Sequence, residues 1–202
     1  MVAIIDYGMG NLGSVENMVK KLKGEVIITS SKAEIYKSTK IILPGVGSFD
    51  KAMQNLKKLD LIGLINNEVL ERKKPILGIC LGMQLLTKAS EEGFLDGFGF
   101  IDAYAEKISK DNVRVPHMGW NTVDSKKKNI FFQSDMEYRY YFVHSYAVTC
   151  NDKKDILTTT CYDKEFVSSF SRNNIVGAQF HPEKSHKFGK LFFSAFLNDF
   201  NA

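Results

Sequence analysis

The segment from Ile76 to Gln84 constrains the fold of this chain more than any other. An apolar run leads into the pattern Gly-x-Cys-x-Gly at positions 78 to 82, and a helical pattern follows at once. Glycine has no Cβ, so a strand and a helix can approach each other closely around a sharp turn there. The segment therefore predicts a strand, a tight elbow and a helix, with the Cys80 thiol projecting from the elbow.

The sequence allows two interpretations of Cys80. At an elbow it would lie at the N-terminus of a helix, where the helix dipole and free amide groups favour a thiolate over a thiol. It would then be a candidate nucleophile. Alternatively, Cys80 is a buried, small apolar side chain, which is the usual state of a lone cysteine in an apolar strand.

A second strand-like run, at positions 176 to 180, ends in His181-Pro182-Glu183. In an extended segment, residues i and i+2 project to the same side, so Glu183 is expected to reach the His181 imidazole and hold its tautomer. The other ring nitrogen could then face a thiol. His-Pro-Glu alone also fits a surface turn. Combined with a cysteine elbow, it predicts a catalytic triad of Cys80, His181 and Glu183.

The first two-fifths of the chain alternates strand and helix patterns. Apolar strand patterns lie at 2–6, 26–29, 41–43 and 75–79, and helical ones at 15–22, 49–59 and 61–72. Near-continuous apolar strands separated by helices indicate an α/β fold with an open, mostly parallel sheet flanked by helices on both faces. Closely spaced strand patterns at 138–148, 156–162, 165–170 and 175–180 predict added antiparallel strands. No linker or repeat divides the sequence, so we expect one domain over residues 1–202.

Composition excludes several other classes of protein. The net charge is only +4, and short lysine runs without interleaved aromatics do not indicate nucleic-acid binding. Cys80, Cys150 and Cys161 are widely spaced, so neither a disulfide framework nor a cysteine-based zinc site is predicted. We expect no metal and no other cofactor. No segment has the apolar length of a membrane span, and no signal peptide is evident, so we expect a cytoplasmic protein.

These residues resemble the class I, or triad-type, glutamine amidotransferases, which are marked by Gly-x-Cys-x-Gly followed far downstream by His-Pro-Glu. Further blocks resemble one subgroup, the glutaminase subunits of imidazole glycerol phosphate synthases, called HisH. These blocks lie at 5–12, 43–49, 116–121 and 141–146, and so are spread over essentially the whole chain.

The resemblance implies that glutamine is hydrolysed to glutamate and ammonia. Cys80 would attack the side-chain amide carbon, His181 would protonate the departing ammonia and then activate water, and Glu183 would orient His181. A non-catalytic subunit would not need all three residues. Oxyanion donors are expected at Leu81, the residue after the nucleophile, and by resemblance at Val46 and Gly47.

By the same resemblance, glutamine is recognised by Gly45, Gln84, Ser145 and Tyr146. From the sequence alone, Gln84 could also be a solvent-facing helical residue. A cysteine peptidase of similar fold would use an elbow and a histidine, but it would not account for the 43–49, Gln84 and Trp120 blocks together.

The resemblance further implies a heterodimer with a (β/α)₈ cyclase subunit. That subunit receives the ammonia and makes imidazole glycerol phosphate and AICAR in histidine biosynthesis. The contact surface is expected at Asn11, Leu12, Pro116, His117, Met118, Gly119, Trp120 and Asn121. A tryptophan in a glycine-flanked loop suits an interface anchor, although Trp120 could instead be buried core.

One position departs from the subgroup's pattern. Gly13 stands where the histidine-pathway proteins usually have arginine. The alternative function is therefore the same glutaminase chemistry in a HisH-like paralogue that supplies ammonia to a different synthase, such as a sugar amidotransferase.

Overall fold

The computed structural model describes residues 1–109, 113–133 and 136–201. In these ranges, twelve strands form one sheet. They are β1 (Val2–Ile5), β2 (Val26–Thr29), β3 (Lys40–Gly45), β4 (Ile76–Cys80), β5 (Ala89–Ser90), β6 (Ala103–Lys107), β7 (His117–Ser125), β8 (Tyr138–His144), β9 (Tyr146–Cys150), β10 (Ile156–Tyr162), β11 (Lys164–Arg172) and β12 (Ile175–Ala178).

The helices of the described ranges are short. They are α1 (Leu12–Lys21), α2 (Lys32–Lys37), α3 (Phe49–Lys58), α4 (Ile62–Asn66), α5 (Leu81–Leu85) and α6 (His186–Ser194). Turns of π-helix at Asn67–Glu71 and Ala195–Asp199 extend α4 and α6, and turns of 3₁₀-helix lie at Lys153–Asp155 and Pro182–Lys184. None of these helices is long and apolar enough to cross a membrane.

The sheet combines a parallel centre with an antiparallel extension. Its strand order is β2-β1-β3-β4-β12-β11-β10-β7-β8, with β9 paired to β11 and β6, and β5 paired to β6. The pairs from β2 to β12 are parallel, and β12 to β8 are antiparallel. This confirms the expected mostly parallel sheet with added antiparallel strands.

Apolar residues cover both faces of the parallel centre. Along β1, Ala3 and Ile5 belong to one buried cluster, whereas Val2 and Ile4 belong to the other. The first cluster packs under α3 and α4, and the second packs under α1 and α6. Burial on both faces explains why these strands read as continuous apolar runs and not as alternating ones.

The structure divides the strand predicted at 138–148 into β8 and β9, separated at Ser145. β8 pairs with β7, while β9 pairs with β6 and β11. The buried residues are even-numbered both before and after the break, so hydrophobic periodicity alone could not locate it. The break is important because it places Ser145 near Cys80, the last residue of β4.

Candidate active site

The predicted elbow is present at the end of β4. Cys80 is the last residue of the strand, α5 begins at Leu81, and the Cys80 backbone has φ 55° and ψ −111°. A positive φ is strained for a residue with a side chain, and such strain is concentrated at functional sites. A Cβ at Gly82 would lie 1.7 Å from the Leu43 carbonyl oxygen, so only glycine lets α5 approach β3 this closely.

His181 and Glu183 form a buried pair beside the elbow. His181 Nδ1 lies 2.7 Å from Glu183 Oε1, and each side chain is only 2% exposed. The predicted extended geometry is wrong, because Glu183 lies in the 3₁₀ turn that follows His181. Ser185 Oγ holds this turn to β8 by donating to the His181 carbonyl and accepting from the Tyr141 N–H.

The electrostatics of His181 favour the imidazolium ion. Burial lowers its pKa, but the neighbouring Cys80 and Glu183 side chains outweigh this effect and raise the pKa to about 10. His181 Nε2 has no hydrogen-bond partner among the described residues. With Nδ1 held by Glu183, Nε2 is the nitrogen that can exchange a proton with a thiol or a leaving group.

The turn after β3 lies directly beside the cysteine. Gly45 pairs with Cys80 across β3 and β4. The buried Tyr7 hydroxyl donates to the Pro44 carbonyl at 2.7 Å and thereby fixes the start of the turn. Gly47 has φ 111°, a conformation that favours glycine. The turn therefore lies next to the elbow.

A cavity of about 330 Å³ opens in front of Cys80. It brings together residues that are far apart in sequence: Val46, Gly47, Leu81, Gln84, Ser145 and Tyr146, all predicted for the site, together with Glu92, Pro116, Val143 and His144. The volume lies within the range of small-molecule sites. In the described ranges, no group of three or more His, Cys, Asp or Glu residues could hold a metal ion.

Gln84 is buried at the base of this cavity, which excludes the solvent-facing interpretation. Its Nε2 donates to the Tyr146 carbonyl at 3.2 Å and to Gln179 Oε1 at 3.1 Å. Both amide hydrogens are thus directed at protein atoms. Only the Gln84 side-chain oxygen remains for a bound substrate.

Two polar residues of the site escaped the sequence analysis. Glu92 lines the cavity, and its Oε2 accepts from the Phe49 N–H at 2.9 Å. Burial raises the pKa of the Glu92 carboxyl group. The hydrogen bond from the Phe49 N–H lowers this pKa, and the nearby Asp50 carboxylate raises it further, so that the pKa is raised on balance. Gln179 donates from Nε2 to Cys80 Sγ at 3.7 Å. Its one signal in the sequence is an amide inside an apolar strand pattern, two residues before His181.

A buried histidine pair, His117 and His144, adjoins the cavity, which His144 helps to line. His144 Nδ1 is 2.7 Å from the Tyr146 carbonyl, which can only accept, so Nδ1 carries the proton. His144 Nε2 must then accept from His117 Nδ1 at 2.9 Å, and Asn121 Nδ2 donates to His117 Nε2 at 3.3 Å. Burial lowers the pKa of His117 to about 4 and is the main cause that lowers that of His144 to about 3.

The predicted contact residues separate into two groups. Met118 and Trp120 project from β7 with exposed fractions of 62% and 44%, and Pro116 and Asn11 are also exposed. Trp120 is therefore not a core residue; its ring stacks on His186 at 5.6 Å. His117 is only 3% exposed and points away from this surface. Leu12, Gly119 and Asn121 are half-buried.

Known proteins resemble this chain over nearly its whole length. A family model described as glutamine amidotransferase class-I matches residues 3–199. The imidazole glycerol phosphate synthase subunit HisH 2 of Methanococcus maripaludis is 55% identical over 199 residues, which cover 98% of each chain. The subunit HisH 2 of Pseudomonas aeruginosa is 42% identical over the same shares of each chain.

Solved structures show the same fold at lower identity. A crystal structure of a glutamine amidotransferase superposes with a TM-score of 0.76 at 15% identity, covering 98% of this chain and 97% of that one. The PurLQS structure from Thermotoga maritima superposes with a TM-score of 0.72 at 18% identity and covers 98% and 97%.

Proposed function

This chain belongs to the class-I glutamine amidotransferase family, and from that premise we propose that it is the glutaminase subunit of an imidazole glycerol phosphate synthase. The observation that carries the proposal is the Cys80 elbow beside the buried His181–Glu183 pair at the cavity. In the proposed reaction, glutamine is hydrolysed to glutamate and ammonia.

The triad supplies the covalent chemistry in two stages. The Cys80 thiol gives its proton to His181 Nε2 and its sulfur bonds to the side-chain amide carbon; His181 Nε2 passes the proton to the departing ammonia as the C–N bond breaks, which leaves a thioester. His181 then takes a proton from water, the resulting hydroxide attacks the thioester carbon, and glutamate leaves as the C–S bond breaks and His181 returns the proton to the sulfur. Glu183 keeps Nδ1 occupied and stabilises the imidazolium through the 2.7 Å contact.

Backbone amides stabilise the oxyanion in both stages. The Leu81 N–H at the start of α5 is one proposed donor, and the turn at Val46 and Gly47 provides the other. Support comes from the pairing of Gly45 with Cys80 and from the position of both turn residues on the cavity wall.

Glutamine recognition is proposed at residues on and next to the cavity wall. Ser145 and Tyr146 lie where β8 and β9 separate, Gln84 lies in the helix after the elbow, and Gly45 pairs with Cys80. Glu92 is added as the acceptor for the substrate's α-ammonium group. It is the acidic side chain among the described residues lining the cavity.

The relatives are named subunits of a synthase, so this chain is expected to work with a partner subunit. We propose that the partner is a (β/α)₈ cyclase, which contacts Asn11, Leu12, Pro116, Met118, Gly119, Trp120 and Asn121. His117 is buried and would support that surface from beneath.

A cytoplasmic location is proposed because Cys80, Cys150 and Cys161 are free thiols. We also propose one domain over residues 1–202, since a single sheet links both ends of the chain.

A second candidate function shares the reaction but not the ammonia acceptor. Gly13 departs from the subgroup's arginine, and two relatives carry the numbered name HisH 2, which fits a second copy in one organism. A paralogue that serves another synthase, such as a sugar amidotransferase, would fit these observations.

Glutamate release from glutamine distinguishes the two candidates. The purified chain would be assayed with and without the histidine-pathway cyclase of the same organism and its nucleotide substrate, with Cys80→Ala as the blank. We expect little turnover alone and a large stimulation that Cys80→Ala abolishes. No stimulation, with Cys80 still reactive toward a glutamine-like electrophile, would favour the paralogue. Activity retained in Cys80→Ala would refute the glutaminase mechanism.

A further inference from the structure

Gln179 is the residue of the site whose role neither the triad nor substrate binding accounts for. It follows the last residue of β12 and precedes His181 by two positions. Its side chain is fully buried, and its Nε2 lies 3.7 Å from Cys80 Sγ. We propose that Gln179 is a positioning residue for the nucleophile: its amide N–H fixes the sulfur and supports the thiolate. The proposal rests on the proposed role of Cys80.

The direction of the Gln179 amide follows from its neighbours. The Tyr146 carbonyl can only accept a hydrogen bond, so the Gln84 side-chain atom that faces it is the donor nitrogen Nε2. The Gln179 atom that meets the same nitrogen at 3.1 Å must then be the acceptor Oε1. Gln179 Nε2 is left facing Cys80 Sγ. The sulfur therefore meets an N–H group and not a carbonyl oxygen.

The surroundings of the sulfur explain why a donor is needed there. Besides the catalytic His181, Sγ faces the Val143 carbonyl at 3.8 Å, which can accept a thiol proton but donates no hydrogen bond to a thiolate. Hydrogen bonds to an ion are stronger than those between neutral groups, so the Gln179 N–H stabilises the thiolate more than the thiol. Gln179 is neutral at every working pH and therefore cannot compete with His181 for the proton.

The titratable groups around Cys80 must be considered when the thiol is titrated. His181 with Glu183 faces it from the turn after β12, Tyr7 from the end of β1, His144 from β8, and Glu92 from the opposite cavity wall. None of these titratable groups is removed when only Gln179 is replaced, so a change in the thiol's behaviour can be assigned to the lost Gln179 amide.

The test is the alkylation rate of Cys80 by iodoacetamide as a function of pH, without glutamine. Gln179→Met keeps the length and volume of the side chain but removes the donor. The exposed Cys161, resolved from Cys80 by peptide mass mapping, is the internal reference. Ser168→Ala is the matched control, because Ser168 is equally buried and its hydroxyl contacts Thr158.

We expect Gln179→Met to slow Cys80 alkylation at neutral pH about tenfold and to move its pH midpoint upward, as loss of a charge-assisted hydrogen bond requires. Cys161 alkylation and the Ser168→Ala profile should match the wild type. In steady state, kcat for glutamine should fall with little change in KM. A merely structural role would leave the midpoint where it is.

An unchanged Cys80 profile in a Gln179→Met protein of wild-type thermal stability would overturn the proposal. If that variant does not fold, Gln84→Met replaces it, because loss of the Gln84 donor frees Gln179 to rotate. In Gln84→Met, Cys80 alkylation that is slowed less than in Gln179→Met, with the pH midpoint again moved upward, supports the proposal. An unchanged Cys80 profile in Gln84→Met overturns it. Glutamine hydrolysis retained in Cys80→Ala would instead refute the proposed function, so the two failures are distinguishable.

Discussion

The buried pair of His117 and His144 should make the folded protein labile to acid. Burial lowers the pKa of His117 to about 4, and burial together with His117 and His181 lowers that of His144 to about 3, although the Tyr146 carbonyl opposes the shift. In the unfolded chain both would titrate near 6.5. Below about pH 6.5, both histidines become protonated in the unfolded chain but stay neutral in the folded protein. The free energy of unfolding therefore falls as the pH is lowered.

The size of the effect follows from these values. Between pH 7 and pH 5, each histidine lowers the free energy of unfolding by about 2 kcal/mol, so the pair lowers it by about 4 kcal/mol. His181 acts in the opposite direction. Because its pKa is raised to about 10, it is already protonated when folded, and acidification over this interval adds under about 1 kcal/mol. The His181 contribution is the same in variants of the pair and cancels in a comparison.

Urea unfolding at pH 7, 6 and 5 would measure the effect in the wild type and His117→Phe. A phenylalanine suits this position, because the His117 ring stacks on Tyr162 at 3.9 Å and on Phe142 at 4.8 Å. We expect the variant to lose about 2 kcal/mol less than the wild type between pH 7 and pH 5. Val123→Ala, a core truncation on the same strand, should lower stability equally at each pH. Parallel curves for wild type and His117→Phe would refute the reasoning.

Four further predictions concern catalysis, stability and partner binding. Gly189→Ala should lower kcat for glutamine with little change in KM, because its Cβ would lie 1.7 Å from the Pro182 carbonyl oxygen and would displace the turn that holds the triad acid. Gly13→Ala, with open space around its Cβ in α1, should keep wild-type glutamate release and raise stability by about 0.5–1 kcal/mol in urea unfolding. Glu92→Gln should raise KM at least tenfold with kcat retained, and Trp120→Ala should weaken cyclase binding in calorimetry without reducing basal hydrolysis. Unchanged kinetic constants would contradict the roles of Gly189 and Glu92. Unchanged stability would contradict the prediction for Gly13→Ala, and unchanged cyclase affinity would contradict the role of Trp120.

The parallel half of the fold was predictable because its information is local. β1, β3 and β4 are buried on both faces, so each reads as an apolar run bounded by turn residues. The elbow was predictable for a similar reason at Gly78, where a Cβ would meet Gly82 and Leu86 of the same strand-turn-helix unit. Gly82 instead faces the Leu43 carbonyl oxygen of β3, a contact that the sequence does not express. The short β5 and β6 escaped prediction because their pairing depends on β9, more than forty residues downstream in the sequence.

The polar residues of the site show the opposite case. Gln84 and Gln179 meet across 95 positions, and their amides acquire a direction only through the Tyr146 carbonyl. Glu92 follows another glutamate in a polar stretch that is typical of a solvated loop. Its position on the cavity wall depends on the Phe49 N–H at the start of α3. No spacing rule in the sequence expresses such contacts.

Packing around β3 limits how the turn at Val46 and Gly47 can move. A Cβ at Gly45 would lie 2.5 Å from the Tyr7 hydroxyl and 3.0 Å from Leu81 Cβ, so Gly45 is enclosed by the strand before it and the helix after it. The Tyr7 bond to the Pro44 carbonyl holds the preceding peptide as well. The backbone has room to rearrange only from Val46 onward, because Val46 is 44% exposed. A rearrangement that presents or withdraws an amide from Cys80 is therefore confined to the peptides on either side of Val46, at the mouth of the cavity where a docked partner could reach them.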